Sequence, residues 1–181
     1  MVSLLYYLGV PQQTPTVTLV SPTRLPGTVD DRWRQTHLGR LLGHAMRQFD
    51  ERVLHLMAHD AGVPLALANL AARDQISAAH IHITRHLALE GSRLTVLAQD
   101  AGMSKQAMGD LVDQCEAWGL VKRERDGQDA RAKKVVFTAD GLAWLGAFKT
   151  AVAQVESEFK ESVGQDVATV VALGLEAYAQ A

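Results

Sequence analysis

A single cysteine, Cys115, among 181 residues excludes an internal disulfide framework, and a reducing, cytoplasmic setting fits that scarcity. No apolar run approaches the ~18–20 residues of a membrane span. The opening ten residues are apolar but short, with no basic residue before them, which argues against a signal peptide. Aromatic residues make up only 6% of the chain, so the interior is expected to be Leu, Val and Ala packed on helices. Catalytic signatures are missing too. There is no nucleophile elbow, no phosphate loop and no HExxH, and the acids are scattered over helix faces, so an enzyme is not expected.

What is present has a globular balance, 48% hydrophobic and 21% charged. Residues 1–27 hold Pro11, Pro15, Pro22 and Pro26, which forbid a helix of any length and predict an extended arm. Thr28 with Asp30 and Asp31 reads as a helix start. Leu38, Leu41, Leu42, Ala45, Phe49, Val53 and Leu56 then recur at three- and four-residue steps as one apolar stripe. Gly62 and Pro64 end it, and residues 65–72 add a further turn or two. A helix is predicted over 77–89, capped by Ser77 or Asp74, and closed by Glu90, Gly91 and Ser92.

Residues 93–138 organise the rest. A short helix over 94–101 ends at Gly102, and Ser104 caps a second helix over 105–118 that Gly119 stops. Ala98, Gly102 and Met108 supply the small crossing residue, the turn and the buried contact of a helix-turn-helix, with Leu111, Val112, Cys115 and Trp118 completing the buried face. Strands follow over 120–125 and 133–138, joined by turn chemistry at Asp126, Gly127, Gln128 and Asp129. Thr138 caps a long helix whose stripe is Leu145, Phe148, Val152, Val155 and Phe159, Gly164 breaks it, and a terminal helix covers 167–179.

Charge is segregated along the chain. The net charge is −2, yet residues 122–134 hold six basic residues against three acids, and residues 138–181 two lysines against six acids. A DNA reader needs only its phosphate-facing surface to be positive. The second helix exposes Lys105, Gln106, Gly109 and Asp110 in its first turns, where Gln suits adenine and Lys suits guanine or phosphate. Arg131 at the hairpin tip suits a narrow minor groove, and Lys122, Arg123, Arg125, Lys133 and Lys134 suit phosphate. A charged hairpin beside two short helices is otherwise only a solvated surface, but the helix pair, wing and charge coincide here.

The segments AGMSKQAMGDLVDQCEAWGLVKR (101–123) and DGQDARAKKVVFTADG (126–141) resemble the MarR family of bacterial winged-helix regulators. The second resembles the family's wing signature in Asp129, Arg131, Lys134, Val135, Val136, Thr138 and Gly141. The resemblance spans about residues 28–180 and implies a mainly α fold: a winged helix-turn-helix with a small β-hairpin wing, and N- and C-terminal helices forming an intertwined dimerisation layer. The expected division is an arm over 1–27, a dimerisation helix and connector over 28–72, the winged helix over 73–138, and dimerisation helices over 139–181. It further implies a homodimeric transcriptional regulator, a repressor in the main reading, binding a pseudo-palindromic double-stranded operator. Its site would comprise Ser104, Lys105, Gln106, Lys122, Arg123, Arg125, Asp129, Arg131, Lys133 and Lys134. Ala130 stands where the family usually has a second Arg, and Asp110 where many members carry Arg or another polar residue.

Members of the family often bind small aromatic or hydrophobic effectors between the dimerisation helices and the winged helix. Candidates here are Trp33, His37, Arg40, His44, His82, Arg85 and His86, which otherwise read as surface and interface polar residues. All seven histidines fall between 37 and 86, and His55/His59 and His82/His86 have the spacing of a helical metal pair. Zinc-sensing relatives take His ligands from the long C-terminal helix, and this chain has none after 86, so no metal and no cofactor are expected. Cys115 on a buried face reads as inert. The alternatives are a winged-helix protein-interaction module with weak DNA binding, and a metal-responsive sensor.

Overall fold

The computed structural model describes residues 30–127 and 129–180, and the side chains of 129–131 lie outside that description. The expected proline-rich arm and the Thr28 cap therefore also lie outside the described residues. The chain divides at His37/Leu38 into two compact units. In the first, a single-turn helix α1 (Trp33–Thr36) ends where His37 turns extended (ψ 148°). The sequence reading had run one helix through this point. Histidine carries no strong helix signal either way, so periodicity alone did not mark the break.

The second unit begins with α2 (Leu38–Ala58), followed by α3 (Leu65–Ala72) and α4 (Ala78–His86). Next come β1 (Ser92–Arg93), α5 (Leu94–Asp100), α6 (Lys105–Ala117), β2 (Val121–Asp126), β3 (Asp129–Phe137), α7 (Ala139–Val163) and α8 (Gln165–Ala179). No helix among the described residues is long and apolar enough to cross a membrane.

Helix α4 stops three residues short of the predicted 77–89 span because Leu87 is extended (ψ 117°). Ser77 is its cap, while Asp74, the other candidate, holds a left-handed φ of 56°. The chain released at Leu87 forms a strand the sequence did not reveal. The sheet has three antiparallel strands in the order β1-β3-β2, with Ser92 opposite Val135 and Arg93 opposite Lys134. Gly91 permits this (φ 91°): a Cβ there would meet Val136 Cγ1 at 2.5 Å and the Val135 carbonyl at 2.7 Å. Strands β2 and β3 pair from Val121/Phe137 out to Asp126/Asp129, farther toward the tip than the predicted strand ends.

The core lies where α2, α4, α6 and α7 meet the base of the sheet. Trp144, Met57, Leu67, Ile81, Met108 and Val112 are fully buried there, each worth about 1.5–3 kcal/mol in removal from water. On α7 the buried face is Trp144, Ala147, Phe148, Ala151 and Val155. The predicted stripe is offset from it: Leu145 and Val152 are half-buried and Phe159 is exposed. Trp144, absent from that stripe, is the largest fully buried side chain, and its Nε1 donates to Thr84 Oγ1 at 3.1 Å. One side chain thus closes α7 onto α4 with its polar atom satisfied.

Candidate nucleic-acid interface

Helices α5 and α6 form the helix-turn-helix. Gly102 supplies the left-handed turn (φ 62°), and the Met103 N–H donates to the Ala98 carbonyl at 2.8 Å. Ser104 Oγ accepts from the Ala107 N–H at 3.1 Å, so its hydroxyl caps α6. Met108, Leu111, Val112 and Cys115 face inward, and Lys105, Gln106 and Asp110 are exposed on the first turns. Burial pushes the Cys115 thiol up to about 12, so it stays protonated and unreactive.

A buried histidine that sequence reasoning passed over fastens α6 to α4. His80 Nδ1 accepts from the Ser77 N–H at 3.1 Å, which leaves Nε2 to donate to Gln114 Oε1 at 3.0 Å. Its ring packs 4.8 Å from that of Trp118. In a capping box this third position is usually Glu or Gln. Ser-x-x-His ahead of an apolar helix was the available signal.

The wing's cations fall into two groups. Arg123 is tied down: its N–H donates to Glu116 Oε1 at 2.8 Å, and its guanidinium pairs with Glu116 and, at 2.6 Å, with Asp113. Burial opposes its charge, but the hydrogen bonds to Asp113 and Glu116 outweigh that and raise its pKa. Lys134 Nζ donates to the Glu90 carbonyl at 2.7 Å and lies 3.5 Å from Glu124. Lys122 lies 3.6 Å from the same Glu124 and remains mostly exposed. Arg93, which the sequence reading did not single out, pairs with Asp126 at 2.7 Å and ties β1 to the end of β2.

Arg125 and Lys133 differ. They sit directly opposite one another in the β2/β3 ladder, both exposed, and neither has an acidic partner within ion-pair distance among the described residues. Like charges in that relation repel, so their placement costs stability. Asp129 and Arg131 belong to β3 by their backbone, and their side chains lie outside the described residues.

The wing is anchored at its base by Thr138. Its Oγ1 accepts from the Gly141 N–H at 3.0 Å and donates to the Gly119 carbonyl. A Cβ on Gly141 would meet the Leu120 carbonyl at 2.0 Å, so only glycine lets α7 start against the end of α6.

The expected effector residues are divided between the two units. The Trp33 and His37 rings lie 5.9 Å apart, tilted by 44°, in the first unit. Arg40 and His44 are exposed on α2. Arg85 is paired with the buried Asp50 of α2, and the His82 and His86 rings lie parallel 6.0 Å apart on α4. His82 Nδ1 is buried with no hydrogen-bond partner among the described residues. Burial, followed by repulsion from His82 and Arg85, holds the His86 pKa below its ordinary value, against an opposing pull from Asp100. A groove of about 550 Å³ runs between α2 and the α3–α4 connection, past Arg47, Glu51, Leu54, His55 and Ile76, and none of the seven candidates lines it. Among the described residues no group of three or more His, Cys, Asp or Glu is placed to hold a metal.

No curated protein matches the sequence. Solved structures do. A CouR transcriptional repressor bound to a 23-mer DNA duplex is similar at 23% identity and TM-score 0.61, covering 84% of this chain and 99% of its own. CouR from Rhodococcus jostii RHA1, bound to p-coumaroyl-CoA, is similar at 20% identity and TM-score 0.58, covering 80% and 93%. Wild-type MarR from E. coli in its apo form is similar at 23% identity and TM-score 0.56, covering 78% and 97%. The model of the MarR family matches residues 74–132, from the approach to α4 through the hairpin tip. Over those residues the chain is similar to the MarR family, and with these solved structures it shares the winged-helix fold.

Proposed function

We propose that the protein is a ligand-responsive transcriptional repressor, acting in the cytoplasm and without enzymatic activity, that binds a pseudo-palindromic operator as a homodimer. The observation that carries this reading is the joint exposure of Lys105 and Gln106 on the first turn of α6 and of Arg125 and Lys133 on the wing. An α6 laid in a major groove would set the first pair against base edges or phosphate and the second against the backbone. Asp110, exposed on the same helix, would repel phosphate or accept from a cytosine amine. Arg131 at the tip is assigned to the minor groove, with Asp129 bracing it.

The dimer is supported by apolar surface that the second unit does not cover. Leu38 and Leu41 on α2, and Val170, Leu173 and Tyr178 on α8, are between 54% and 80% exposed. That is more than a lone soluble chain usually shows. The domain reading follows: an arm over 1–27, a dimerisation helix and connector over 28–72, the winged helix over 73–138 and dimerisation helices over 139–181. A small-molecule effector is supported by the relative bound to p-coumaroyl-CoA. We assign it to the α2/α4 region around His82 and His86.

The test is a gel shift on the duplex upstream of the protein's own gene, alongside light scattering for mass. A dimer that binds at low salt and releases as salt rises is expected, with Arg131→Ala weakening binding at least tenfold. A monomer, or no binding at low salt to that or neighbouring promoters, overturns the reading.

A further inference from the structure

Arg123 stands on the wing among the cations that the function proposed above would aim at phosphate, yet its surroundings are acidic. Two carboxylates, Asp113 and Glu116, share its guanidinium, and Glu116 also accepts its backbone N–H at 2.8 Å. The three side chains together carry a net charge of −1, so an approaching phosphate meets no surplus of positive charge there. The side chain is only 24% exposed, and across the ladder it faces Val135, which is 2% exposed. Asp113 and Glu116 are three residues apart and therefore share one face of α6.

We propose that Arg123 is a positioning residue: it clamps the wing to the recognition helix and sets the angle between them, without contacting DNA. The clamp adds to a short backbone link, in which the Gly119 N–H donates to Glu116 and the Leu120 N–H to Cys115. Beyond that link the hairpin is braced on its β3 side by β1 and by the Arg93–Asp126 pair, while Arg123 is the brace on the α6 side. Gly127 lies four residues past Arg123, about 13 Å at strand rise, so a tilt of about 10° moves the tip by roughly 2 Å. That displacement exceeds the tolerance of a hydrogen bond, so phosphate contacts made by Arg125 and Lys133 depend on the clamp. Arg suits this role better than Lys, because its planar fork can hold two carboxylates in fixed directions.

The inference rests on the DNA-binding reading, and salt dependence separates the two. The probe is a labelled duplex from upstream of the protein's own gene, titrated with the full chain from 50 to 200 mM salt. Loss of a phosphate contact lowers the slope of log affinity against log salt by about 0.9. Arg123→Ala is expected to weaken binding about tenfold with the slope unchanged, and Arg123→Lys to recover part of the loss. Asp113→Asn/Glu116→Gln removes two negative charges beside the DNA, yet is expected to weaken binding. In that background Arg123→Ala should add no further loss, because the clamp is already open. A slope reduced by about 0.9 in Arg123→Ala, or tighter binding by the double variant, would falsify the proposal. Hydrogen exchange on the free protein supplies a readout without DNA. Amides across 121–126 should exchange at least tenfold faster in either variant, and unchanged exchange overturns the clamp. If the wild-type chain binds no duplex at 50 mM salt while its amides respond as described, the DNA reading fails and the clamp stands.

Discussion

The wing and helix α4 each concentrate basic side chains, and the fold treats the two groups in opposite ways. On α4, Arg85 reaches inward to Asp50, which is only 4% exposed, and the two histidines His82 and His86 lie ring to ring at the edge of the core. Charge there holds helices together. On the wing, Arg123 and Lys134 are similarly engaged, but Arg125 and Lys133 are set against each other with no acid between them among the described residues. A fold selected only for stability would not place two cations opposite one another. The proposed DNA contact would use Arg125 and Lys133, the cations whose local arrangement costs stability.

The sharpest way to break the comparison is to remove Arg85. Asp50 would then be a buried carboxylate without a partner, so Arg85→Ala should cost about 3 kcal/mol, lowering the melting temperature by about 6–12 °C in a chain of this length. Asp50→Leu with Arg85→Met should restore most of it, since replacing both members of a buried pair by apolar groups is often neutral. The salt slope of DNA binding should not move in either variant. Melting unchanged by Arg85→Ala would mean that the α4 pair is as dispensable as a surface one.

The wing pair should respond in reverse. Arg125→Gln/Lys133→Gln is expected to leave melting unchanged or raise it slightly, by about 0.2–1 kcal/mol, because the cross-strand repulsion goes. The same change should lower the salt slope by about 1.8, for two lost phosphate contacts, and weaken binding at 50 mM salt about tenfold or more. A stability loss of the size expected for Arg85→Ala would show that these side chains hold the hairpin together and are not held in reserve for DNA.

How far this division was legible from residues depends on how local its cause is. The Ser104 cap, the Gly102 turn and the Thr138–Gly141 joint are fixed by neighbours a few positions away, and they stand where the motif puts them. The winged-helix fold followed from those. Strand β1 did not, because two residues cannot show an alternation, and Gly91 read equally well as a helix terminator. The break at His37 and the inward face of Trp144 were hidden for a related reason: periodicity places a stripe on a helix without saying which neighbour it meets. Charges were the least legible of all. Arg123 is paired with acids on the preceding helix, seven and ten positions away, and Arg85 with one 35 positions away. Counting residues 122–134 gave the wing its positive sign but not which cations are free to use it. Arg131, which the signature singles out, lies with its side chain outside the described residues, and the sequence remains its only witness.

The smallest expected effect concerns protons on α4. Burial, then His82 and Arg85, lower the folded-state pKa of His86 below its ordinary value of about 6.5, and Asp100 opposes them only in part. The unfolded chain therefore takes up a proton at this site at a higher pH than the folded chain does. Above about pH 6.5 the imidazole is neutral in both states and the difference vanishes. As pH falls below that point the unfolded state gains protons first, so stability declines until the folded-state pKa is also passed. Urea denaturation at pH 7.5, 6.5 and 5.5 should show this decline in the wild-type chain and a shallower one in His86→Gln. The wing supplies the internal control. Lys122→Gln, which removes an exposed cation 3.6 Å from Glu124, should leave the pH dependence over that range unchanged. If His86→Gln titrates like the wild type, the acid-side loss of stability comes from groups elsewhere, and α4 loses one of the two features that set it apart from the wing.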